Sequence, residues 1–99
     1  MVGVHAAAVL FDIHIPEARS LKAKRAVVRP VVEGLRHRFR VSAAEVDFHD
    51  QWQRARIGVA VVAESNRHLD EVLDACERFV DSHPEIEVLD MNTSYLEEQ

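Results

Sequence analysis

The 99-residue chain is 47% apolar and carries a net charge of −5, enough for one self-sufficient core and too short for two. Its single cysteine, Cys76, excludes an internal disulfide framework and any Cys-x-x-Cys metal or redox motif. The charge is unevenly spread: residues 19–40 hold eight cations against Glu33 alone, whereas residues 66–99 hold ten carboxylates against Arg67 and Arg78. That asymmetry suits a polyanionic partner or charge-steered association, and it also suits a merely solvated face.

The first element is the apolar run VHAAAVLFDIHI, residues 4–15, ended by Pro16. It reads as a strand with a well-buried face, central in its sheet. Asp12 and His5 interrupt it where a membrane span needs about 20 apolar residues, and no basic flank or cleavage site of a signal peptide precedes it. The reading is a cytoplasmic protein that does not use a membrane. Pro16 to Ser20 form a loop, and Ser20 can cap the following helix by accepting from a first-turn N–H. Leu21, Val28, Val31, Val32, Leu35 and Phe39 recur at helical spacing and make one apolar arc. Pro30 falls inside that helix, where it deletes a backbone hydrogen bond at roughly 3 kcal/mol in an unadapted case. A kink is expected there without a break, because the periodicity continues in phase.

Residues 41–48 (VSAAEVDF) and 56–64 (RIGVAVVAE) are β-branched runs that predict two antiparallel strands, joined by the loop HDQWQRA at 49–55. Ser65 or Asn66 caps a second helix, whose Leu69, Val72, Leu73, Cys76, Phe79 and Val80 keep the helical period until Pro84 closes it. Residues 85–93 supply the last strand. The order βαββαβ with right-handed crossovers gives an α+β fold, the ferredoxin-like plait, with a four-stranded antiparallel sheet and two helices on one face.

Several familiar uses of that plait need side chains this chain lacks. One cysteine cannot ligate an iron–sulfur cluster or a soft metal. The strand RIGVAVVAE carries no aromatic for base stacking on the sheet face. The segment HIPEARS has no glycine to let a backbone loop cradle phosphate or a small ligand.

What remains is a set of surfaces. Lys22, Arg25, Arg29, Arg36 and Arg40 share one helical stripe, interrupted by Glu33. Arg36 and Arg40 sit at the helix C-terminus, where the dipole favours cations. Lys22, Lys24 and Arg25 sit in the first turn, where it opposes them by roughly 0.3–1 kcal/mol each. With the Ser20 hydroxyl and free N–H groups they form a candidate site for phosphate or carboxylate, unless they pair with the acidic second helix. Lys24 points along the apolar arc, so its ammonium has to reach past the sheet edge. Trp52, in a polar hairpin loop beside Arg54 and Arg56, is either a structural or dimer anchor or a stacking platform for a nucleic-acid base. His49 and Asp50 are a weak metal or acid/base signal, and the reading assigns no metal, cofactor or catalytic residue. Val59, Ala60, Val61 and Val62 make both faces of their strand apolar, which predicts a homodimer packed sheet to sheet or a tolerated patch of small residues.

SLK-K at 20–24, RF-VSAAEVD at 38–47 and WQRA-IGVAVV at 52–62 resemble the small bacterial YlxP-like proteins, a domain family of unassigned function, and the likeness covers nearly the whole chain. The resemblance implies a ferredoxin-like plait and, because such genes often neighbour translation-initiation and ribosome-binding factors, work near RNA or a ribosomal component. Ala23 and Pro30 depart from the more polar residues expected of relatives at those positions. The favoured reading is a non-enzymatic binder of RNA or a ribonucleoprotein, dimeric, using Ser20, Lys22, Lys24, Arg25, Arg29, Arg36, Trp52 and Arg54. The alternative is a dimeric protein-interaction or small-anion-sensing module without nucleic-acid binding.

Overall fold

The computed structural model describes residues 4–96. Its elements run β1 (His5–His14), α1 (Leu21–Phe39), β2 (Ser42–Asp47), β3 (Arg54–Ala63), α2 (Asn66–Asp81) and β4 (Glu87–Tyr95). The strands form one antiparallel sheet in the order β2-β3-β1-β4. This is the ferredoxin-like plait that the element order predicts, with β1 and β3 in the centre.

Side-chain alternation along the two central strands separates the layers. Ala7, Val9, Phe11 and Ile13 of β1 and Ala55, Ile57, Val59 and Val61 of β3 are buried on the helix side. There they meet Val28, Val31, Val32 and Leu35 of α1 and Leu69, Leu73, Cys76 and Val80 of α2 in a single core. The intervening residues form the open face, where Ala8 and Ala60 are exposed and Val62 is 76% exposed.

The helices begin as their sequences predict. Ser20 accepts from the Ala23 N–H at 3.0 Å and Ser65 from the His68 N–H at 3.1 Å, and such caps stabilise by about 1 kcal/mol each. Helix α1 continues through Pro30, which lies on its exposed side. Proline has no N–H, so the Ala26 carbonyl loses its usual intrahelical donor on that same solvent side. The helices approach closely at Gly34, where a Cβ would overlap the Phe79 ring.

Two strands start two residues away from the sequence expectation. Strand β3 starts at Arg54, because Arg54 and Arg56 lie opposite His14 and Asp12 in the β1 register and find a carboxylate there. Strand β4 runs later, Glu87–Tyr95, because α2 ends at Asp81 and the Ile86 N–H donates to the His83 carbonyl before the strand begins.

Candidate nucleic-acid interface

The first turn of α1 and the β2–β3 loop occupy one end of the sheet, and a buried lysine joins them. Lys24 is 1% exposed. Its ammonium donates to Glu45 Oε2 at 2.9 Å and to the carbonyls of Phe48 at 2.8 Å, Arg54 at 3.3 Å and His49 at 3.4 Å. These contacts correct the expectation that Lys24 serves a surface anion. The apolar arc carries its stem inward, and the ammonium is satisfied by the hairpin instead of by solvent. Phe48 holds a left-handed backbone, φ 64, unfavourable for a bulky residue, and the lysine anchors its carbonyl.

The rest of the expected anion site also divides. The Ser20 hydroxyl serves as the helix cap. Arg36 donates its Nε–H to the Ala43 carbonyl at 2.9 Å, tying α1 to β2. Arg54 donates to both carboxylate oxygens of Asp12, at 2.8 and 2.9 Å, so its charge is matched within the chain. Arg56 pairs with Asp47 at 3.1 Å and approaches Asp12 at 3.5 Å. Both guanidinium groups lie over the Phe48 ring, at 4.8 and 4.7 Å from its centre.

Lys22, Arg25 and Arg29 remain. All three are exposed, and among the described residues none is ion-paired with a carboxylate. Together with Ala26 and Pro30 they line a shallow recess of about 410 Å³. Three of its five lining residues are cations.

Trp52 is 53% exposed and borders a second recess, with His14, Asp50, Gln51, Gln53, Arg54 and Leu89. The loop around it is well fixed. Gln53 accepts from the Ile15 N–H at 2.9 Å, and its amide donates to the carbonyls of Pro16 at 3.2 Å and Ala18 at 3.1 Å. His49 contacts the Glu45 carbonyl through Nε2 at 3.2 Å, and Asp50 is exposed. Among the described residues no group of three or more His, Cys, Asp or Glu side chains is placed to hold a metal ion.

A family model described as "Protein of unknown function (DUF503)" matches residues 6–93. The chain belongs to this family. Its match runs from β1 into β4 and takes in both recesses. The chain is similar to the Bacillus subtilis (strain 168) protein called "Uncharacterized protein YlxP", with 40% identity over 73 residues, 74% of this chain and 79% of that protein. DUF503 membership agrees with the family resemblance carried by the sequence motifs.

Sequence reasoning missed four participants: Asp12 as the carboxylate for Arg54 and Arg56, Phe48 as their common platform, and His14 and Leu89 beside Trp52. Period-two alternation puts Asp12 and His14 on one face of β1. Only the register with β3 and β4 shows what they meet.

Proposed function

We propose that the protein is a non-enzymatic, cytoplasmic RNA-binding module that engages the phosphate backbone through Lys22, Arg25 and Arg29. One observation carries the reading. Cations at the sheet end of the molecule, Lys24, Arg54 and Arg56, are matched to Glu45, Asp12 and Asp47, whereas the α1 trio is exposed without an ion pair among the described residues. Cations left unpaired in a protein of net charge −5 gain most from a polyanion, whose condensed counterions are released on binding. Lys22 and Arg25 also stand where the helix dipole disfavours positive charge, and a bound phosphate reverses that penalty. Trp52 extends the same end of the molecule with a ring on which a base can stack. Cys76 offers no competing chemistry, since it is buried and its thiol is pushed up to about 11 by desolvation.

Filter retention of radiolabelled total RNA tests the reading. Lys22→Glu with Arg25→Glu is expected to abolish retention while thermal stability stays equal or rises slightly. Equal retention by this variant would remove the surface.

A second copy of the chain on the open sheet face belongs to the same reading. Ala8, Leu10, Ala44, Gly58 and Ala60 line a shallow apolar groove of about 470 Å³, and Val62 stands exposed beside Ala60. The arginines at one end of that face, Arg54 and Arg56, are already compensated by Asp12 and Asp47, so a symmetric partner meets no unpaired guanidinium there. Strands of 10, 6, 10 and 9 residues spaced ~4.8 Å apart give a face of roughly 550 Å² in projection, somewhat below the ~800 Å² per partner of a standard interface.

A further inference from the structure

We infer that the recess at Trp52 is a slot for one unstacked, amino-bearing base of a single-stranded RNA. The inference rests on the RNA reading above and specifies which form of RNA it concerns. The recess holds about 790 Å³ and lies at the end of the open face. His14 ends β1, Arg54 begins β3 opposite it, and Leu89 lies on β4 beside the register shift against β1.

Three features make this a place for a planar ring. The indole is half exposed on a loop that is fixed on both sides. Lys24 holds the carbonyls of Phe48, His49 and Arg54, and Gln53 is bound to residues 15, 16 and 18. A ring presented on a pinned loop binds without the entropic cost of ordering that loop. The natural intramolecular partner for the indole, the Arg54 guanidinium, is held by Asp12 and stacked on Phe48. Among the described residues no ring or cation stacks on Trp52. Leu89, 51% exposed, supplies a second apolar wall.

The polar groups around the slot select against a phosphate and for a base. Arg54 is neutralised by Asp12, His14 lies 3.6 Å from Glu87, and Asp50 brings an exposed carboxylate to the rim. A carboxylate repels phosphate but accepts hydrogen bonds from an exocyclic amino group, which cytosine and adenine carry and uracil lacks. The Gln51 side chain, also on the rim, can both donate and accept. A duplex keeps its bases stacked and cannot offer one to the slot, so the ligand is single-stranded.

Trp52 is the only tryptophan, so its fluorescence reports the slot in the full chain. The experiment titrates the protein with oligo(C), oligo(A) and oligo(U), with a short RNA duplex and with inorganic polyphosphate. Binding is followed by both fluorescence and calorimetry. Saturable quenching is expected with oligo(C) and oligo(A), and binding at least about tenfold weaker with oligo(U) and the duplex. Polyphosphate should bind the α1 cations without quenching. Trp52→Ala should weaken oligo(C) binding by about tenfold to a hundredfold with polyphosphate binding unchanged, and Asp50→Asn should erase the preference over oligo(U). RNA binding without quenching, or undiminished in Trp52→Ala, overturns the slot while leaving the cation surface standing. Equal affinity for oligo(U) overturns the amino-base assignment. No binding of RNA or polyphosphate at all overturns the RNA reading, and the slot with it.

Discussion

Replacing Lys24 by methionine tests the joint on which the whole sheet end depends. The substitution keeps an unbranched stem in the core and removes the charge and all three donors. It leaves Glu45, whose side chain is 19% exposed, without its cation, and it leaves the carbonyls of Phe48, His49 and Arg54 without the Nζ donor. Removing one partner of a buried ion pair costs about 3–5 kcal/mol. Water reaches Glu45, so the low end applies, about 3 kcal/mol. In a domain of this size that is a fall in Tm of roughly 12–24 °C. Urea unfolding followed by far-UV circular dichroism should show a lower midpoint at an unchanged m-value. The double variant Lys24→Met/Glu45→Gln should cost less than the two single changes together, by about 1–3 kcal/mol of coupling. A Lys24→Met loss below about 1 kcal/mol, or strict additivity in the cycle, would refute the argument that this ammonium holds the hairpin to the helix.

Gly34→Ala should destabilise by about 1–3 kcal/mol despite alanine's better helix propensity, because the new methyl meets the Phe79 ring; thermal unfolding checks this, and Phe79→Leu should relieve part of it. Burial raises the Cys76 thiol from 9.0 to about 11, so the unfolded chain ionises first. The resulting stabilisation is present below about pH 9 and lost as pH rises towards about pH 11. Urea midpoints across that window should fall less for Cys76→Ala than for the parent. Val62→Asp places a charge near one end of the proposed self-association face, where Val62 is 76% exposed in the single chain. Sedimentation should find the parent dimeric and the variant monomeric with an unchanged circular dichroism spectrum, and a monomeric parent at high concentration would remove the second copy.

The fold was legible because each element carried its own period. The α1 arc from Leu21 to Phe39, the faultless helical spacing in α2 and the β-branched runs of β2 and β3 each point to one structure, and the serine caps mark where the helices start. The site was only half legible. A helical wheel identifies Lys22, Arg25 and Arg29 as a solvent face, but it assigns Lys24 only an inward direction. Whether an inward lysine surfaces or finds partners depends on Glu45 and on backbone carbonyls contributed by a hairpin about 25 residues away. Arg54 was misjudged for a related reason: its carboxylate, Asp12, lies 42 residues earlier and becomes a neighbour only through the β1–β3 register. Pair relations across strands carry no local signature, whereas caps and periodicities do.

The salt dependence of binding to a single-stranded RNA tests the central claim most directly. If Lys22, Arg25 and Arg29 contact phosphates, log K should fall linearly with log salt concentration with a slope of about −2, three contacts at roughly −0.7 each, and reversing all three charges should leave no measurable binding. A flat salt response, or undiminished affinity in the charge-reversed protein, would contradict it.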